Sequence, residues 1–553
     1  MDKNKILKYA IIYLIITLFA FLVYYVTLPA INVFSVGFWV FVAFLLFIYL
    51  APISLKASKK EVKVIKSKNV NSIDIPFKIK TNKLIFIAVV PIVFVLVGSI
   101  ISSTAFNARA YASVISVQER VFEEDMPETT NVTNVALMDT PSAQIIGNRT
   151  LGSLSDVVSQ YEVSENYNQI NYANSPKKVA NLEYADFFKW IGNRKNGIPG
   201  YVMVDPVKNS AEYVKLAKPM QYVESAYFGK DLMRKLRFSY PTKILGEPRY
   251  EIDDDGNPVY IVPCMRPRVM IFGAMDVYEA IIFDPCTGES EIYSISDIPQ
   301  WVDIVYDGYL ASDKYNWYGT LSGGFFNSII GNKGCKQTTD DFGYLALDND
   351  VWYFTGVTSV TGDESNIGFI LSNARTGEYK YYPVIGAEEY SAMGAAEGEV
   401  QEKGYKASFP ALVNISGEAT YIMVLKDSNG LVKLYALVNV EDYSSIVATG
   451  ETQQQAMNAY KKLLAEKGVL SGGVDSSMQE ITVISVTQTV IDGNTVFFYE
   501  TFNSEKAKTE YFKLSIADDE SALFIKAGDK IKVSSVNSAT DGIYIITEWE
   551  YSN

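Results

Sequence analysis

The chain has no histidine among its 553 residues. Within this chain that absence excludes a Ser-His-Asp triad, a Cys-His pair, an HExxH zinc site and a histidine pH switch. Acid–base or nucleophilic chemistry is left to Asp, Glu, Lys, Ser, Tyr and Cys. Cysteine is also scarce, with only Cys264, Cys286 and Cys335. Either Cys264 joins Cys286 and one thiol remains, or all three are free. A chain of this size can fold without such a staple. No Walker or dinucleotide glycine motif occurs, and no SxxK hydrolase signature comes with its supporting motifs.

Arginine is missing from the first 83 residues, which hold twelve lysines against Asp2, Glu61 and Asp74, a net of +9. Residues 84–103 are uncharged, so the remainder carries −23 of the overall −14. An acidic body of this kind is a poor partner for phosphate backbones, and no nucleic acid is expected.

The basic end holds three apolar stretches, 6–28, 33–53 and 84–103, each near the roughly 20 residues that cross a hydrocarbon core as a helix. Three transmembrane helices are expected. Lysines flank them: Lys3, Lys5 and Lys8 come first, and Lys56, Lys59, Lys60, Lys63, Lys66, Lys68, Lys78, Lys80 and Lys83 lie between the second and third. The positive-inside rule then places the N-terminus and the 54–83 segment in the cytoplasm and all beyond residue 103 outside the cell membrane. Those nine lysines are candidates for contact with anionic headgroups. The uncharged cores argue against a self-contained transporter.

Beyond the membrane region, 104–175 reads as a mainly helical stalk and linker. Residues 176–310 and 337–450 read as two sheet-rich α+β subdomains. Between them, 311–336 is a glycine- and aromatic-rich loop in which Tyr315, Trp317, Tyr318, Phe325 and Phe326 are interaction candidates for a glycan, a membrane surface or a protein, or else pack internally. Hairpins recur: Asp284-Pro285-Cys286-Thr287-Gly288-Glu289 and Ala374-Arg375-Thr376-Gly377-Glu378 both separate alternating strands and share T-G-E. The acidic turn after Glu251 puts Asp253 and Asp255 at alternating positions before Gly256, but the closing position falls on Val262, so no metal is expected there. No cofactor is implied either. A helix is expected over 452–467 within a 451–479 connector, followed by a separate all-β module over 480–553.

Three pieces, Gly246-Glu247-Pro248-Arg249-Tyr250, Asp255-Gly256-Asn257-Pro258-Val259-Tyr260 and Asp284 to Glu289, resemble the hairpins of PepSY-type extracytoplasmic domains. That resemblance implies a helix on an antiparallel sheet, used as a regulatory or interaction module. Lys526-Ala527-Gly528-Asp529-Lys530-Ile531-Lys532-Val533 resembles the turn and strand of oligonucleotide-binding-type barrels and implies a small C-terminal β-barrel. The expected fold class is therefore a membrane-anchored α+β chain with three transmembrane helices, sheet-rich extracytoplasmic domains and a small barrel. The expected function is a cell-envelope scaffold, regulatory or assembly subunit, with an envelope protein partner or a second copy. The alternatives are a glycan-processing enzyme, with Glu289, Glu291, Asp340 and Asp341 as the first acids to test, or an accessory transporter subunit.

Overall fold

The computed structural model of the protein describes residues 3–62, 83–130, 132, 135–360, 365–467, 478–491, 494–504, 507–516, 519–537 and 542–552. Helix α1 (Lys3–Thr27) contains the only single run among them, Ile6–Thr27, that is long and apolar enough to cross a membrane. Helix α2 (Val36–Val62) offers 17 apolar residues, Val36–Pro52. Helix α3 (Lys83–Ile101) is apolar from Phe86 and then bends by 55° into α4 (Thr104–Ala112).

Three expected spans thus become one, or two if the bent pair is counted as a single span. The cause is the length of the apolar part of each helix. Residues 33–35 form the turn before α2, and Ser102-Ser103 break the third stretch, so neither apolar run has the length of Ile6–Thr27. The cytoplasmic and extracytoplasmic assignments rested on three crossings and fall with them. Lys56, Lys59 and Lys60 lie in the last turns of α2, and Lys83 opens α3. Lys63, Lys66, Lys68, Lys78 and Lys80 lie outside the described residues.

Four sheets of one design follow. The first holds β1 (Tyr161–Val163), β2 (Asn168–Tyr172), β3 (Ser175–Tyr184), β4 (Ile198–Asp205) and β5 (Ser210–Met220). The second holds β6 (Ile244–Leu245), β7 (Arg249–Ile252), β8 (Pro258–Val269), β9 (Gly273–Phe283) and β10 (Ser290–Ser294). The third holds β11 (Lys336–Thr338), β12 (Gly343–Leu347), β13 (Asp350–Ser359), β14 (Gly368–Asn373) and β15 (Tyr379–Tyr382), with Val117–Glu119 added in parallel to β15. The fourth holds β16 (Lys406–Ala407), β17 (Ala411–Ile415), β18 (Glu418–Lys426), β19 (Val432–Asn439) and β20 (Val447–Gly450). In each, two short strands share one edge of a long strand, and two more strands follow antiparallel on its other side.

The turns repeat with the strands. The β2–β3, β12–β13 and β17–β18 hairpins turn on Ala173-Asn174, Asp348-Asn349 and Ser416-Gly417, all at positive φ. This is the twist-matched two-residue turn. At the opposite end of each sheet an Asp or Asn side chain caps the turn. Asp205 accepts from Val207 N and Lys208 N, Asp284 from Cys286 N and Thr287 N, Asn373 from Arg375 N and Thr376 N, and Asn439 from Asp442 N. The pieces that resemble PepSY hairpins are the inner and outer turns of the second sheet, repeated in the other three. The likeness lies in turn chemistry, and the PepSY expectation is withdrawn.

The inner short strands meet. β2 packs against β7 and β13, and β12 packs against β17. Lys426 and Asp139 join the fourth sheet to helix α5 (Thr140–Gly152), which lies on the first. The second sheet is thus joined to the first, the first to the third, the third to the fourth, and the fourth back to the helix on the first. On the third sheet, Asp350 takes Arg375 Nε and Nη2 at 2.8 Å each, together with Asn373 Nδ2.

The C-terminal module has β21 (Gln479–Thr482), β22 (Ser485–Ile491), β23 (Asn494–Asn503), β24 (Lys508–Ser515), β25 (Lys530–Asn537) and β26 (Ile543–Tyr551). Their order is β21-β25-β26-β24-β23-β22, with β24 and β26 parallel. No pairing joins β21 to β22 among the described residues, so the sheet is open and the expected closed barrel is not formed.

Candidate ligand cleft

A cleft of about 580 Å³ opens where edge strands of three sheets converge. β2 contributes Gln169 and Ile170, β12 its whole length, and β17 Ala411 to Asn414. Each of these strands pairs on one side only within its sheet. Met126, Pro127, Thr129 and residues 135–141 close a further wall, with Thr129 N donating to Asn414 O at 2.7 Å. Most of the lining is apolar, including Met126, Leu137, Met138, Phe342, Leu345 and Phe409.

Lys178 is one of three charged residues in the lining, with Asp139 and Asp341. It sits on β3, in the same alternating phase as Ala180 and Leu182, and is 3% exposed. Its Nζ lies 3.4 Å from Thr140 Oγ1 and 5.2 Å from the centre of the Tyr344 ring. Among the described residues no carboxylate forms an ion pair with it. Burial lowers the amine to about pKa 8, only partly opposed by Asp139. Asp139 itself is engaged: it accepts from Lys426 Nζ at 2.5 Å and caps α5 through Ser142 N. Although burial opposes ionisation, hydrogen bonds from Lys426 and Ser142 hold its carboxyl below the usual range. A buried amine in a cleft can receive an anion while protonated, or act as a base once deprotonated.

Beside the cleft, Glu251 on β7 accepts from Asp303 N at 2.9 Å and Ile304 N at 2.7 Å. Asp303 accepts from Asn171 N at 2.8 Å. Burial raises both carboxyls, Glu251 also through the nearby Asp303, and Asp303, at about 8, also through Asp350. Glu251 is thus turned inward and supplies no ligand to the Asp253–Gly256 turn, where Asp253 caps Asp255 N and Asn257 N.

The acids singled out in the sequence do not gather. Glu289 and Glu291 belong to the β9–β10 hairpin, and neither lines the cleft. Asp341 lines it, accepting from Phe342 N and Tyr390 Oη, while Asp340 is exposed beside it. The glycine- and aromatic-rich stretch is largely a helix, α8 (Gly308–Leu321). Tyr315 is buried in it, Trp317 packs edge-on to Tyr111, and Tyr318 lies beside Tyr315. Phe325 touches Phe326, which is exposed at the tip that follows. Cys264, Cys286 and Cys335 are all thiols, and Cys264 and Cys286 are pushed up to about 12 by burial.

Sequence reasoning missed Lys178. The signal was Lys177-Lys178 opening an apolar strand: successive side chains point to opposite faces, so one of the two must enter a packed layer. Lys177 reaches Asp205 at 2.6 Å, and Lys178 goes inward.

No family model matches the chain, and no curated protein does. Among solved structures it matches a GH43 β-1,3-galactosidase with galactodeoxynojirimycin at 8% identity over 69% of this chain and 92% of that one, with a TM-score of 0.18. A polysaccharide lyase matches at 10% identity over 62% and 74%, TM-score 0.15. A glycosyl hydrolase from Bacteroides ovatus matches at 9% over 68% and 89%, TM-score 0.15. These likenesses assign neither fold nor activity, and the proteins named are carbohydrate-active enzymes rather than PepSY or oligonucleotide-binding domains. The scaffold expectation is not carried forward, because the feature that the structure adds is an interior cleft with a buried amine beside it.

Proposed function

We propose that the central cleft is the working site of this protein and takes an elongated ligand whose anionic group is received by Lys178. The observation that supports this reading is the buried amine of Lys178, which forms no ion pair among the described residues, in a mainly apolar cleft whose two carboxylates, Asp139 and Asp341, are engaged by Lys426 and by Phe342 N and Tyr390. β2, β12 and β17 each pair on one side only within their sheets, and their second edges, taken up in part by Thr129 N on Asn414 O and by Asp303 on Asn171 N, border the cleft. A second reading, an acid–base enzyme acting on an acidic glycan, is supported by the amine's proton affinity. With a pKa of about 8, roughly a tenth of it is neutral near pH 7 and able to take a proton.

Calorimetry on the full chain in detergent tests the first reading, using an oligogalacturonate and a neutral oligosaccharide of equal length. The acidic chain should bind, and Lys178→Met should weaken it by about 10- to 100-fold, the worth of one charge-assisted hydrogen bond. Lys178→Arg should retain part of the affinity. Equal binding of acidic and neutral chains, or no effect of Lys178→Met, would reject it. New ultraviolet absorbance from a double bond in the acidic chain, lost in both variants, would establish the enzyme reading.

A further inference from the structure

Several of the large apolar side chains left exposed on the body lie where the apolar helices end. Phe106 on α4 is 71% exposed, just past the bend after α3. The β8–β9 hairpin tip is tied to that bend, because Ser102 Oγ accepts from Ile271 N and Phe272 N at 3.2 Å each and Phe272 packs edge-on to Phe94 of α3. Met270 at this tip is 57% exposed. Helix α8 meets α4 through Trp317 and Tyr111, and the tip after it carries Phe326 at 77% and Ile330 at 80%. At the end of α1, Phe238 of helix α7 (Leu232–Ser239) packs on Tyr24 and Tyr25, and Arg234 Nε donates to Tyr25 O. Phe238 and the nearby Phe228 are both exposed.

Single exposed apolar residues are ordinary on any surface. Four separate segments presenting them beside the ends of the same helices are not. Charge points the same way. Residues 102–113, 227–243, 266–272 and 322–336 together hold ten basic side chains and one acid, Asp231, in a chain whose net charge is −14. Aromatic and basic side chains flanking an apolar helix suit the headgroup layer of a bilayer, where rings sit at the boundary and cations meet anionic lipid. The chain of contacts continues directly from α1, whose membrane-length run has only 6% of its residues buried.

We propose that this face, formed by Phe106, Phe228, Phe238, Met270, Phe326 and Ile330 with their basic fringe, rests on an anionic lipid surface. It requires a lipid surface but assigns neither the number of crossings nor the side. It is independent of the central cleft.

The test reconstitutes the full chain in vesicles of phosphatidylcholine and phosphatidylglycerol containing a photoactivatable lipid, then maps the labelled peptides by mass spectrometry. Peptides holding Phe106, Met270, Phe326 and Ile330 should be labelled, whereas those of the distant β18–β19 hairpin should not. Arg109→Ser and Lys333→Ser should each lower labelling of their own segment by roughly fivefold, and omission of phosphatidylglycerol should do so throughout. Phe326→Ser with Ile330→Ser alters only exposed side chains, so unchanged circular dichroism with lost labelling at the tip supports the footprint. Label confined to residues 6–101, or label indifferent to lipid charge, overturns the proposal. Cross-linking of the tip to a second copy in place of lipid overturns it in favour of a protein interface.

Discussion

Replacing Lys178 by methionine keeps most of the side-chain length and removes the charge. In the fold the amine has a pKa of about 8 against an ordinary 10.5. At about 1.4 kcal/mol per tenfold change in proton affinity, the buried ammonium is disfavoured by about 3 kcal/mol. Below pH 8 the folded and unfolded chains both hold the proton, and the folded state bears the whole penalty. Between pH 8 and 10.5 the folded chain releases its proton first. The unfolded chain then binds more protons, so the contribution of Lys178 to stability rises with pH. Lys178→Met lacks both the penalty and the rise. It should be more stable than the parent by up to about 3 kcal/mol near pH 7, and this advantage should shrink towards zero near pH 10. The assay is thermal unfolding of both proteins at the two pH values, read as the difference between them so that other titrating groups cancel. At about 2 °C per kcal/mol for a unit of this size, the neutral-pH gap should approach roughly 6 °C. A variant no more stable than the parent at neutral pH, with a gap that does not change with pH, would show that the amine is solvated or paired. The ligand reading of the cleft would then lose its main support.

The pair Glu251 and Asp303 titrates together, and both folded-state carboxyls are raised, so their contribution to stability is present in acid and is lost as pH rises towards about 8. Asp303→Asn keeps an oxygen for Asn171 N and should be more stable than the parent above that pH, with the advantage vanishing near pH 4, as followed by urea unfolding. Asp350→Ala strands the buried guanidinium of Arg375 and should cost about 3–5 kcal/mol, which Arg375→Lys should not mimic by geometry alone; a cost below about 1 kcal/mol in chemical denaturation would count against the network. Gly386→Ala sets a methyl group about 2.0 Å from Val440 O and should lower stability by about 1–3 kcal/mol, measured the same way. Cys264 should resist iodoacetamide in the folded protein, because burial keeps the thiol up to about 12, and react fully in denaturant without reductant; a residue that stays unreactive in denaturant would reveal a disulfide.

The strands and turns were largely legible. Alternation marked Val259 to Val262, Val277 to Phe283 and Tyr421 to Lys426, and the T-G-E turns exposed two of the four outer turns. The other two were hidden because Asp205 and Asn439 cap the same turn without Thr, Gly or Glu in place, since the geometry needs only an oxygen two or three residues ahead of a free N–H. Hydropathy found the apolar stretches but counted turn residues into them, because composition does not say where a helix begins.

Composition by itself determined that no histidine chemistry is available, that the charge is split between a basic start and an acidic remainder, and that a sheet-rich body follows the apolar helices. Pairing and distance belong to the tertiary structure. It decided that four sheets of one design pack together, that the terminal sheet stays open, and that one lysine of an adjacent pair turns into the cleft while the other meets Asp205. The reason is that a buried site is made by residues far apart in the chain: Thr140, Lys178, Tyr344 and Ala411 share a cleft only after a helix and three separate sheets have packed.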